Sequence, residues 1–245
     1  SVMETASWRD RADAILVAWQ PGQEGGNSVA DVLTGKENPS GKLTMTWPIA
    51  ATDHPSTANF PQDYDMYSLR NMQGWGVPIK GIDYTNHEED IYVGYRYFDT
   101  FNKEVAYPFG YGLSYTEFEY SNFSIEDKGE TIQVDVDVKN VGDVDGKHTV
   151  QIYFQSPYTQ YDIDNLVEKA AVEICGFDKK MIAAGATEHF TITVDKEDLT
   201  SYDYMKAKTY ILDAGDYYFT VGRDAHDAIN NILMAKGADA SRMSG

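Results

Sequence analysis

Glu24 stands in the string Pro21-Gly22-Gln23-Glu24-Gly25-Gly26-Asn27, after the apolar run Ala14-Ile15-Leu16-Val17-Ala18-Trp19 and before the amphipathic stretch Ser28 to Gly35. Backbone amides at a helix N-terminus after a Gly-rich turn can cradle an anion. The string lacks both GxGxxG and GK[ST] spacing, so it is no nucleotide fingerprint. Two other readings stand beside that one: a tight strand-to-helix connection capped by Asn27 or Ser28, and a loop that also lines a binding cleft. Glu24 has the chemistry of a general acid or base. Most glycosidic chemistry requires a second carboxylate at about 5–5.5 or about 6.5–9.5 Å, and the sequence sets none opposite it.

Other chemistry-bearing residues are read as follows. His87-Glu88-Glu89-Asp90 places successive side chains on opposite faces of an extended segment, which suits a solvated charge run or a salt-bridged junction better than a metal or a catalytic pair. Tyr158, Tyr161, Asp162 and Asp164 are expected in an exposed loop. Trp75, flanked by Gly74 and Gly76, can project its ring as a sugar-stacking platform or anchor a loop against a neighbouring domain. Trp8, Trp19 and Trp47 sit at element ends and are expected in the core. The single cysteine, Cys175, lies among apolar neighbours and reads as an inert core thiol. Five scattered histidines show no zinc spacing, and no cofactor is expected.

The chain of 245 residues carries 20 Lys and Arg against 39 Asp and Glu, a formal charge of −19. That balance repels phosphate backbones and anionic lipid, so neither nucleic acid nor a membrane surface is an expected partner. No apolar run approaches the ~20 residues needed to span a bilayer. The chain opens SVMETASWRD, without a starting Met or a basic leader segment, which suggests a processed or partial polypeptide.

The character of the sequence changes near residue 115. Residues 1–48 read as α/β, with a helix over Glu4–Ala12, a buried parallel-type strand at Ala14–Trp19, and a helix with Val29, Val32 and Leu33 on one face and Gly35 as its C-terminal cap. One strand and two helices cannot close a parallel sheet, so further sheet must come from elsewhere. Residues 49–116 form a long, irregular, aromatic-rich connection. From Phe118 the period becomes two: Ile132, Val134, Val136 and Val138 alternate with Gln133, Asp135 and Asp137, and Asn140 to Gly146 supplies a turn. About seven short strands with turn signals over 117–222 read as an immunoglobulin-like or fibronectin-like sandwich. Residues 223–245 read as a short helix (Ala228, Ile229, Ile232, Leu233) running into a tail or linker.

The motifs AWQPGQEGG…ADVLTG, NPSGKL, YVGYRYFDT and PFGYGLSYT follow one another over about 115 residues, and VDVKNVGDVDGKHTVQIYF follows them. In that order and spacing the chain closely resembles the carboxyl-terminal part of glycoside hydrolase family 3 β-glucosidases. The resemblance implies an incomplete α/β sandwich of flavodoxin-like βα layers, followed by a fibronectin-III-like domain. It implies a retaining, exo-acting enzyme that removes terminal β-linked glucose, with xylose as an alternative sugar. The Asp nucleophile would sit on a (β/α)8-like barrel and the Glu acid/base on an earlier loop, both outside this chain. A barrel alone takes ~250 residues. The remaining barrel and α/β strands would be the companion, whether the barrel precedes or follows this region, and a β-glucoside the substrate. Trp75, Tyr64, Tyr67 and Glu24 become candidates for the leaving-group subsite. The rival reading is a non-catalytic glycan-binding or scaffold module.

Overall fold

The computed structural model describes residues 2–59 and 87–238. The helix expected at Glu4–Ala12 is a single 3-10 turn, Arg9–Arg11, led by Trp8 and Arg9 amides donating to the Thr5 carbonyl. The strand expected at Ala14–Trp19 is also absent. Among the described residues this segment has no strand partner, and Ile15, Leu16 and Trp19 are exposed at 37%, 43% and 47%. Apolar content alone does not make a strand, because the backbone needs a neighbouring ladder. Trp8 is likewise exposed, whereas Trp47 is buried, meeting the rings of Trp19 and Tyr107 edge-on at 6.2 and 6.0 Å.

Helix α1 (Gly25–Leu33) begins with Glu24 in the cap position, so Asn27 and Ser28 lie inside the helix and cap nothing. Its end is as expected: Gly35 adopts φ +75° and donates to the Val32 carbonyl. Strands β1 (Trp47–Pro48) and β2 (Val105–Tyr107) pair antiparallel, and helix α2 (Tyr95–Thr100) buries Phe98.

The period-two segment folds as its alternation requires. Strands β3 (Phe118–Asp127) and β4 (Thr131–Asn140) form the first hairpin, followed by β5 (Gly146–Gln155) and, beyond helix α3 (Gln160–Asn165), by β6 (Glu173–Ile182). Then come β7 (Thr187–Asp195), a short hairpin of β8 (Ser201–Asp203) and β9 (Thr209–Ile211), and β10 (Tyr218–Gly222). Two antiparallel sheets, ordered β3-β4-β7 and β10-β5-β6, face each other. Their core holds Val134, Val136 and Val138 of β4, Val150 and Ile152 of β5, and Phe190 of β7, all fully buried. Cys175 packs beside that core, donates to the Ile152 carbonyl, and is pushed up to about 12 by burial, the inert thiol expected.

Strand β5 is covered on both faces. Its far side, with Tyr153, meets helix α4 (Ala225–Ala235) through Ala228, Ile229 and Ile232, with Tyr95 and Phe109 closing the layer. The helix expected after Gly222 is therefore packed on the sheet, and its N-terminus is capped by Asp224 accepting from the Asp227 amide.

The turn after β4 is held by Asn140, which is fully buried. Its Oδ1 accepts from Thr116 Oγ1 at 2.5 Å and from the Gly142 amide at 3.1 Å. Its Nδ2 donates to the Val144 and Ile182 carbonyls at 2.8 and 3.0 Å. One amide thus ties the first hairpin, the incoming segment and β6 together.

Candidate functional site

The Gly-rich loop is displayed at the surface. Gly22 adopts φ +73°, the turn closes by Gly25 donating to the Gly22 carbonyl at 3.4 Å, and the Pro21 ring packs so close to Gly25 that no Cβ fits there. Glu24 is exposed and its Oε2 accepts from Asn27 Nδ2 at 2.6 Å. Among the described residues no carboxylate is hydrogen-bonded to it. The loop thus displays the Glu24 carboxylate at the surface, tied to Asn27 of its own helix. Trp75, Tyr64 and Tyr67 lie outside the described residues.

What the described motifs do is join two bodies. Asn38 of NPSG accepts at Oδ1 from Ser114 Oγ and the Tyr115 amide, both at 2.9 Å, and donates to the Asp145 carbonyl at 3.0 Å. The Tyr115 hydroxyl in turn donates to the Val32 carbonyl at the end of α1 at 2.8 Å. Lys42 and Lys179 donate to the Gly112 and Ser40 carbonyls at 2.7 and 2.8 Å. The PFGYGLSYT glycines have physical reasons. Gly110 adopts φ +85° with Gln151 against it, and a Cβ on Gly112 would collide with the Gly41 carbonyl oxygen. Sequence reasoning found these motifs and missed the seam they build, because Asn38, Gln151 and Lys179 are far apart along the chain.

That seam gives a sharp contrast between two glycines. Gly112→Ala must push the Gly41 backbone aside and is expected to cost about 1–3 kcal/mol. Gly26→Ala, inside α1 with nothing within 4 Å of the new methyl, is expected to gain about 0.5–1 kcal/mol. Thermal melts of the two variants decide it; equal shifts would show that the close approach of Gly41 to Gly112 carries no weight.

At the seam's centre lies His148 of β5, only 8% exposed. Its Nε2 is 2.7 Å from the Tyr120 hydroxyl and its ring lies 4.2 Å from that of Phe118. Burial, with Lys42 and Lys179 nearby, lowers its pKa from 6.5 to about 4, so the imidazole is neutral at ordinary pH.

The far end of the sandwich carries a second polar core. Lys169 Nζ, nearly buried, donates to Asp162 at 3.0 Å, to Asp213 at 2.5 Å and to the Pro157 carbonyl at 2.8 Å. Asp162, expected in an exposed loop, is fully buried. Its Oδ2 also accepts from the Thr159 amide and hydroxyl at the start of α3. Tyr158 is exposed as expected. In the acidic run, His87 is exposed and stands 3.9 Å from Glu89, which is itself nearly buried.

Residues 1–115 match the glycosyl hydrolase family 3 C-terminal domain, and residues 148–225 match the fibronectin type III-like domain. By these two domains the chain belongs to glycoside hydrolase family 3. It is 35% identical over 226 residues to thermostable beta-glucosidase B of Acetivibrio thermocellus, covering 91% of this chain and 27% of that protein. It is 33% identical over 240 residues to an exo-alpha-(1->6)-L-arabinopyranosidase of Bifidobacterium longum, covering 98% of this chain and 28% of the relative. The solved structure of beta-glucosidase 3B from Thermotoga neapolitana in complex with glycerol superposes with a TM-score of 0.79 at 39% identity. That match covers 94% of this chain and 29% of the structure. The chain thus spans about a quarter of the length of the curated relatives it matches. The architecture is an α/β portion followed by a β-sandwich, the class expected from the sequence.

Proposed function

We propose that this chain is one portion of a retaining, exo-acting β-glucosidase that releases terminal β-linked glucose, completing the α/β sandwich and bracing it with the fibronectin-like domain. The Asp nucleophile and Glu acid/base belong to the companion portion, with its (β/α)8-like barrel and remaining α/β strands. One observation carries this reading. Ile15, Leu16 and Trp19 are exposed and their segment has, among the described residues, no strand partner, directly before the Gly-rich loop, in a chain that covers only 27% of a matched relative. Covering such a segment with a neighbouring strand returns both its ladder and its apolar burial, at about 25 cal/mol per Å². The proposed division is 1–48 for the α/β portion, 49–116 for the connection, 117–222 for the sandwich and 223–245 for the helical end.

In this reading Glu24, Tyr64, Tyr67 and Trp75 border the leaving-group subsite and carry no proton transfer. Relatives named for β-glucosides and for an α-L-arabinopyranoside share this portion about equally. That supports placing the groups that grip the terminal sugar in the companion portion. The test is hydrolysis of p-nitrophenyl β-D-glucopyranoside, β-D-xylopyranoside and α-L-arabinopyranoside. Joined to its companion portion the chain is expected to turn over the glucoside fastest, and alone to give no turnover. Turnover by this chain alone, abolished in Glu24→Gln, would overturn the proposal. Trp75→Ala is expected to lower kcat/KM on oligosaccharides at least fivefold while sparing the aryl glucoside; unchanged values on both remove Trp75 from the subsite.

A further inference from the structure

The open side of the sandwich, away from the seam, carries a cleft of about 510 Å³ between the two sheets. Leu199, Leu212 and Phe219 supply its apolar wall, and Asp127, Lys196 and Asp216 its polar rim, with Lys196 paired to Asp127 at 2.8 Å. Leu212 of the cleft wall directly follows the β8–β9 hairpin. Tyr202 and Tyr210 are directly opposite each other in register, with rings in edge-to-face contact at 5.2 Å. They are 51% and 67% exposed, and Leu212, two residues beyond Tyr210, is 47% exposed while the intervening Ile211 turns inward. Tyr210 and Leu212, two residues apart across the end of β9, are thus both exposed, and Leu212 joins the tyrosine pair to the cleft.

This aromatic face is built on a fixed base. On the opposite side of the hairpin, Asp203 is fully buried and accepts from the amides of Met205, Lys206 and Ala207. It also accepts the Tyr161 hydroxyl at 2.6 Å, which pins the hairpin to α3, and Lys206 lies over the Tyr161 ring at 4.9 Å. Loops held this firmly lose little further freedom when a ligand settles on them.

We propose that the Tyr202–Tyr210 face and the adjoining cleft bind a neutral glycan chain, at a site separate from the Gly-rich loop. A pyranose ring offers an apolar face of C–H groups and a rim of hydroxyls. The face of Tyr210 suits the first, and a rim with both acceptors (Asp127, Asp216) and a donor (Lys196) suits the second. The chain's charge of −19 repels polyanions, and the Asp216 carboxylate of the rim would be desolvated beneath a purely apolar partner. The site belongs to the sandwich alone and involves no catalytic group.

Native gel electrophoresis of the complete enzyme through soluble mixed-linkage β-glucan and through xyloglucan tests it. The wild-type protein is expected to be retarded by at least one of them. Tyr210→Ala is expected to weaken the apparent affinity tenfold or more and Tyr210→Phe to retain it. All three proteins should keep the same kcat/KM on an aryl glucoside, which separates this outcome from failure of the proposed function. Absence of retardation in the wild type overturns the proposal, as does equal retardation of wild type and Tyr210→Ala. A dimer seen by light scattering and lost in Tyr210→Ala would assign the face to a second copy instead and overturn it too.

Discussion

Replacing Lys169 by alanine is expected to destabilise the sandwich by about 3–5 kcal/mol. The ammonium stands between two carboxylates, at 3.0 Å from Asp162 and 2.5 Å from Asp213, with a third bond to the Pro157 carbonyl. Its side chain is 4% exposed and those of Asp162 and Asp213 are 0% and 11% exposed. Removing the cation leaves two negative groups facing each other where water barely reaches. The Coulomb gain and the desolvation cost of the intact cluster nearly offset, so its net worth is modest while its disruption is costly. Denaturant midpoints of wild type, Lys169→Ala and the surface control Lys196→Ala measure the effect. Lys196 pairs with an Asp127 that is 63% exposed, and its loss is expected to cost under about 1 kcal/mol. Equal costs for the two lysines would show that the cluster is solvated after all.

Acid is expected to weaken the seam through His148. In the folded chain its pKa is about 4, below the 6.5 of the unfolded chain. Between those values the unfolded chain binds a proton that the folded chain refuses, so stability falls as pH falls. At about 1.36 kcal/mol per unit the loss from pH 8 to pH 4.5 is on the order of 2–3 kcal/mol. The reason is structural: the ring is enclosed by Phe118 and Tyr120 with Lys42 and Lys179 close by, so a further positive charge there is desolvated and repelled by those two lysines. His189 behaves oppositely. Its hydrogen bond to Asp137 raises its pKa, so its contribution is present at low pH and fades as pH rises through the folded value. The clean measurement is therefore a difference. The stability of wild type minus that of His148→Gln, from denaturation at pH 8 and pH 4.5, is expected to decline by that amount. A difference flat with pH would mean that the junction opens to water around His148.

The elements legible from local order were those whose side chains report it. Alternation in Ile132–Val138 predicted β4 and its buried face, because successive residues of a strand point to opposite sides whatever surrounds them. The α1 face and the Gly35 stop were also local, although the start of the helix moved to Gly25 once the Pro21 ring closed over that residue. The family motifs were visible in order and spacing, and the matched domain families are the two they announced.

Other features exist only through long-range pairing. Ala14–Trp19 reads as a buried strand by composition, yet a strand is a property of two segments, and among the described residues it has no ladder partner. Asp162, Lys169 and Asp213 look like separate solvated charges along the sequence; chain folding across 44 positions brings them within hydrogen-bonding distance. Tyr202 and Tyr210 likewise become one face only when β8 and β9 pair in register. The residue types and their periods carry the identity of the elements, since those depend on steric preferences within a few positions. The seam, the buried ion cluster and the tyrosine face belong to the tertiary structure, since each rests on distances between groups that the linear chain leaves free.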